Sequence, residues 1–303
     1  MRTRSALLAL LLLAPPAASQ DKIKVVTTIA DLASLTRSVG GDAVEVEFFV
    51  RPGDDPHSVL AKPSMLLKLS RADAVIVMGL NYEHAFMPAL LQKVRNPKVK
   101  PGGAGYLELG SLVEPLEVPD RLDRGKGADL HPLGNPHFNL DPDYGRVMAA
   151  AIRDHLITLA PGRRAEFSSN WERWDERAAE KIAEWDELLE PFRGTSILTY
   201  HNSWPYLAKR FGLVIAGTVE PKPGLPPTSR HLTSLARLIR EQQVGLLLIE
   251  PWYDERRVAA LTGLDGLRLV KAATTCGTSR ATAEYLDNLD FLVRQIAGAD
   301  ADE

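Results

Sequence analysis

The sequence predicts an α/β protein of two lobes, each built on a mainly parallel sheet flanked by helices, joined by one long rigid helix. Three observations carry that expectation. Residues 22–165 alternate short apolar or β-branched runs with helical patterns. A second series of the same kind begins near residue 196. Between them Phe167, Trp171, Trp174, Ala178, Ile182, Trp185 and Leu189 recur every three or four positions, the stripe of a single amphipathic helix. Continuous apolar strands separated by helices indicate a parallel sheet covered on both faces.

The chain opens with the basic stretch Met1-Arg2-Thr3-Arg4, an apolar run over 6–14, and the small residues of Pro15-Pro16-Ala17-Ala18-Ser19-Gln20. This order predicts a secretory signal peptide over 1–19, too short to span a bilayer. No cysteine stands near the expected cleavage point, so a lipid anchor on cysteine is not expected. The expected product is a soluble periplasmic protein with no membrane insertion after cleavage.

An N-terminal lobe is expected over 20–165. Strands are predicted at 23–28, 44–50 and 74–78, with a helix on Leu32, Leu35 and Val39 and another opening at Pro63. Residues 96–135 are rich in Pro and Gly and read as loop, with one short strand near Tyr106-Leu107. The connecting helix over 166–190 would be about 36 Å long at 1.5 Å per residue. It ends at Pro191 and Gly194. Its stiffness predicts limited hinge closure. A C-terminal lobe over 191–303 follows, with strands at 196–200, 213–218, 244–249 and 267–271. Helices are expected at 203–211, 229–242, 254–262 and 280–297, and a Pro-rich loop at 220–227. No internal repeat is visible by eye.

Composition limits the function. A chain of 303 residues with 45% hydrophobic composition suits two ordinary domains. A net charge of −3 argues against nucleic acid or an anionic membrane surface as partner. The only cysteine, Cys276, leaves no internal disulfide, so stability must come from core burial.

Three histidines stand beside Pro, Asp or Asn. They lie in Asp54-Asp55-Pro56-His57-Ser58, in Asn135-Pro136-His137-Phe138-Asn139-Leu140-Asp141-Pro142, and in Tyr200-His201-Asn202-Ser203-Trp204. They are far apart in the chain and can meet only through the tertiary fold. Parallel α/β proteins bind ligands outside the carboxyl ends of their strands, and all three fall in loops that could face such a cleft. Neutral imidazole is the commonest metal ligand. Three separate structural histidines would be the bland alternative, and the residues alone leave both open.

Further motifs resemble a known family. Asp-Pro-His57 with Lys62-Pro63-Ser64, then Arg71-Ala72-Asp73 and the apolar run to Leu80, is similar to the first ligand loop and third strand of cluster A-I solute-binding proteins. These are the substrate-binding components of zinc/manganese-type ABC importers. The His137 and His201 stretches and Leu248-Ile249-Glu250-Pro251 are similar to further motifs of that family, in the same order. The resemblance implies that His57, His137 and His201 ligate one divalent metal between the lobes, with a membrane ABC permease as the receiving partner and a monomer as the working unit.

The family's fourth ligand is usually an Asp after the last strand, where this chain carries Thr274. Water, Cys276, Glu250 or Glu220 could complete the coordination. Glu250 is expected instead to orient an imidazole N–H, and Glu220 to hold the Pro-rich loop. His131 is expected to be mainly solvated, and His84, His155 and His231 to be surface or packing residues on helices. Three imidazoles without a firm carboxylate favour Zn2+ over Mn2+. Binding should weaken below about pH 6, where imidazole takes up a proton. A metal carrier, not an enzyme, is therefore expected. The alternatives are a zinc-dependent hydrolase, although no His-Glu-x-x-His helix is present, or a binding protein for a metal chelate.

Overall fold

The computed structural model describes residues 21–119, 131–264 and 266–299; the expected signal peptide lies outside them. Two four-stranded sheets form, and every strand pairing within them is parallel. The first contains β1 (Ile23–Thr27), β2 (Val44–Phe48), β3 (Ala74–Val77) and β4 (Tyr106–Glu108), in the order β2-β1-β3-β4. The second contains β5 (Ser196–Thr199), β6 (Val214–Thr218), β7 (Leu246–Ile249) and β8 (Arg268–Lys271), in the order β6-β5-β7-β8.

The two orders are the same, so a repeat invisible in the sequence exists as topology. In each sheet the winding reverses beside the first strand, which opens a crevice at the carboxyl ends. The strands are slightly shorter than the apolar runs suggest, yet pairing continues past them. Phe49 N–H still donates to Thr27 O at 3.2 Å and Val50 N–H to Thr28 O at 3.0 Å.

The helices are α1 (Ala30–Gly40), α2 (Pro63–Arg71), α3 (Met87–Lys93), α4 (Pro142–Leu159), α5 (Arg164–Leu189), α6 (Pro205–Phe211), α7 (Ser229–Gln242), α8 (Ala259–Thr262) and α9 (Tyr285–Ala297). Proline at the first turn of α2, α4 and α6 supplies a preset φ where no N–H partner is needed. The Asp141 side chain caps α4 by accepting from Asp143 N–H at 2.9 Å. The helix expected at 254–262 is a 3-10 turn over Glu255–Val258 followed by the single turn of α8. The helix α3 was expected only loosely, through the placing of His84 on a helix, and it begins three residues after that histidine.

Alternation along the second sheet divides its packing. Ile197, Leu246, Leu248 and Val270 enter the main core with α5 and α9. Leu198, Leu247 and Ile249 point the other way, onto Leu235 and Ile239 of α7 and Leu261 of α8. The stripe of α5 buries Phe167, Trp174, Ala178, Ile182, Trp185 and Leu189, and the helix packs on α1, α4 and α9. Trp171 is only half-buried, with the Arg153 guanidinium 4.0 Å above its ring. The Trp185 indole donates to Asp290 Oδ1 at 2.9 Å, tying α5 to α9.

One contact made by α9 bears on the site. Tyr285 donates from its hydroxyl to Asn139 O at 2.8 Å, bracing the turn that follows His137. It reaches that position by lying against Gly145 of α4, where any Cβ would overlap the phenol ring.

Candidate metal centre

His57, His137 and His201 meet. Each offers a ligand atom within 4.8 Å of the other two, and all three rings are buried. His57 Nε2 and His137 Nε2 stand 3.2 Å apart. Two imidazole lone pairs facing each other at that distance need a proton or a cation between them. Nitrogens 2.0–2.1 Å from a tetrahedral ion would be about 3.3 Å apart, so the spacing fits shared coordination.

Each histidine is positioned by a different local device. The Asp55 side chain closes a turn, accepting from His57 N–H at 2.9 Å and from the Ser58 hydroxyl at 2.5 Å. Asn135 Oδ1 accepts both the His137 backbone N–H and the Nδ1 proton, each at 3.0 Å. The orientation of that amide is fixed because its Nδ2 donates to Asn202 O at 2.8 Å and to Glu117 Oε2 at 3.0 Å. His201 follows β5 directly and donates from Nδ1 to Glu220 Oε2 at 2.7 Å. In His137 and His201 the proton thus sits on Nδ1 and the lone pair on Nε2, the tautomer a metal ligand needs. His57 lacks such a side-chain partner: its Nδ1 is buried without a hydrogen bond of ordinary geometry among the described residues, with the Tyr82 backbone beside the ring.

Electrostatics keeps the rings neutral. Burial, reinforced by the other histidines, pushes His57 and His137 well below the usual histidine range. The same causes lower His131 to about 3.

The sequence expectation for the carboxylates is corrected. Glu250 does not orient an imidazole; its Oε1 accepts from the Ser203 hydroxyl at 2.8 Å and from the Trp204 indole at 3.0 Å. Glu220 takes that role and also holds the Pro-rich loop, accepting from Gly224 N–H at 3.1 Å. Thr274 is buried with its hydroxyl unpartnered, and its carbonyl accepts from Asn139 Nδ2 at 2.7 Å. Cys276 faces away into a buried network, its N–H donating to Asp31 Oδ1 at 2.6 Å. Burial and that carboxylate push the thiol up, which disfavours a thiolate. Among the described residues, no cysteine or carboxylate joins the three histidines as a ligand group.

Two further histidines border the centre. His131 is not mainly solvated: its ring centroid lies 4.9 Å from that of His57 and 6.0 Å from that of His137. His84 lies in the turn between β3 and α3, not on a helix, and stacks on His57 at 5.7 Å. The available signal was position. His84 follows a strand's carboxyl end, and His131 shortly precedes His137. His155 and His231 do sit on α4 and α7.

Comparison with known proteins shows the family. The sequence matches the family described as ZnuA, zinc-uptake complex component A, periplasmic, over residues 25–299. It is 27% identical over 240 residues to the manganese ABC transporter substrate-binding lipoprotein PsaA of Streptococcus pneumoniae, covering 78% of this chain and 75% of that protein. It is 23% identical over 245 residues to the high-affinity zinc uptake system protein ZnuA of Yersinia pestis, covering 76% of each. A crystal structure of ZnuA shares the fold with a TM-score of 0.73 at 22% identity, over 92% of this chain and 99% of that one. The Mn-bound periplasmic metal binding protein of Candidatus Liberibacter asiaticus does so with a TM-score of 0.74 at 18% identity, over 91% and 99%. The chain belongs to the ZnuA/PsaA family: it is an extracytoplasmic metal-binding substrate-binding protein of an ABC transporter, and not an enzyme.

Proposed function

We propose that His57, His137 and His201 together ligate one divalent ion, zinc in preference to manganese, which the protein delivers to a membrane permease. The carrying observation is the convergence of three buried rings with, among the described residues, no carboxylate in the ligand group. Manganese prefers oxygen ligands, whereas an imidazole set suits zinc. Relatives named for zinc and for manganese both occur, so the preference rests on the ligand chemistry of this chain.

In this reading the lobe over 20–165 supplies His57 and His137, and the lobe over 191–303 supplies His201. The helix over 166–190 fixes their separation. All three histidines come from one chain, which supports a monomeric carrier. Competition titrations with zinc and manganese test the preference. Zinc binding at least about a hundredfold tighter is expected; equal affinity, or tighter manganese, would refute it. Copper and nickel also favour nitrogen donors and serve as controls.

A further inference from the structure

We infer that His131 is a fourth ligand to the metal, closing the coordination position that Thr274 leaves without a carboxylate. This rests on the three-histidine reading. Among the described residues neither ring nitrogen of His131 has a hydrogen-bond partner of ordinary geometry, and both are buried. The Asn81 backbone lies beside the ring and acts on it electrostatically. A buried imidazole with two idle nitrogens is costly unless something occupies them.

The ring positions point to what that is. Centroids of His57, His137 and His201 are 5.3, 5.6 and 5.7 Å apart, and His131 adds 4.9 Å to His57 and 6.0 Å to His137. Four imidazoles bound tetrahedrally through one nitrogen each, at 2.0–2.1 Å, place their centroids about 5 Å apart. His131 therefore borders the cluster on the side of His57 and His137, although only His57, His137 and His201 form a closed group of ligand atoms. Joining them requires the His131 ring to turn toward the ion.

The other candidates are less well placed. Glu220 is hydrogen-bonded to His201 and Gly224, and the Cys276 backbone is fastened to Asp31. Glu250 Oε1 is held by Ser203 and Trp204, and although its Oε2 is unpartnered among the described residues, the carboxylate lies outside the group of ligand atoms. His84 bonds through Nδ1 to Asn81 O at 3.2 Å and stacks on His57, so it forms a wall of the site. A ligand carried on the loop before His137 can leave without disturbing the other three, which suits a carrier that must release its ion.

Cobalt(II) loading with visible spectroscopy, together with zinc affinity by chelator competition, tests the assignment on the full-length mature protein. The wild type should give a four-coordinate spectrum that added azide does not change. His131→Ala should give an altered spectrum that azide shifts and free imidazole restores. Its zinc affinity should fall by at least the ~10- to 100-fold that loss of an outer-sphere partner costs. His131→Asn, which keeps a polar side chain, should behave as His131→Ala, and unchanged circular dichroism would show that both variants fold. Wild-type spectrum and affinity in both variants, or azide binding to the wild-type cobalt protein, would overturn the assignment alone. Retention of stoichiometric metal by His57→Ala would overturn the three-histidine reading beneath it.

Discussion

Glu220 Oε2 accepts the Nδ1 proton of His201 across 2.7 Å, with both side chains buried. The bond sets the imidazole tautomer and turns Nε2 toward the other two histidines. It also raises the basicity of the ring as a ligand. A carboxylate at the end of the neighbouring strand, β6, is therefore expected to contribute to metal affinity without touching the ion.

Replacing Glu220 should weaken binding while leaving the ligands in place. Glu220→Ala is expected to lower zinc affinity by ~10- to 100-fold, and Glu220→Gln by less, because its amide oxygen can still accept from Nδ1. Chelator-competition titrations measure both. Equal affinity in the wild type and Glu220→Ala would show that the bond has no part in ligation.

Asn135 does for His137 what Glu220 does for His201, and it also spans to Asn202 in the segment after β5. Asn135→Ala strips the partner from a buried ring nitrogen and from Asn202 O. It should cost ~1–3 kcal/mol of stability and weaken zinc binding together. Urea unfolding of the metal-free protein reads the first effect separately from the second.

The pH dependence follows from the neutral rings. His57 and His137 titrate well below the usual 6.5, so the folded state holds fewer protons than the unfolded state as pH falls below that value. Unfolding free energy then rises with pH in that window, and metal-free protein loses stability on acidification. Buried Glu83, raised to about 7, and Asp31, raised to about 6, act in the opposite sense. Their contribution is present near pH 4 and is lost as pH rises through those values. His57→Ala and His137→Ala should flatten the acid-side loss in urea unfolding between pH 4.5 and 7.5. A slope equal to the wild type would mean that these rings are charged in the fold. With these two rings as ligands, proton competition is expected to set in at lower pH than an ordinary histidine would predict.

Gly145 offers a test of the scaffold. Its missing Cβ lets Tyr285 reach Asn139 O and brace the turn after His137. Gly145→Ala should cost ~1–3 kcal/mol through overpacking and loosen metal binding with it. Wild-type melting of the metal-free variant would show that the contact carries no weight.

Much of this was legible in the sequence. The strands and the α5 stripe were readable because burial imposes simple periods; the three histidines were visible as candidates, and only the resemblance to a known family implied that they meet. The exchange of roles between Glu220 and Glu250 was not readable. Both follow β-strands of the same sheet, and which carboxylate meets His201 depends on side-chain direction at the strand end. His131 and His84 were missed because their burial arises from loops folding over the site, which leaves no period. The turn over Glu255–Val258 looked helical since its apolar spacing satisfies either geometry. The repeated strand order was hidden because topology constrains pattern, not identity.

The central claim is that three histidines from distant parts of the chain hold one ion. Zinc stoichiometry by elemental analysis after equilibrium dialysis tests it most directly, on the wild type and on His57→Ala, His137→Ala and His201→Ala. The account predicts one zinc per wild-type chain and well under half an equivalent in every variant, with folding retained. One equivalent retained in any of the three variants would contradict it.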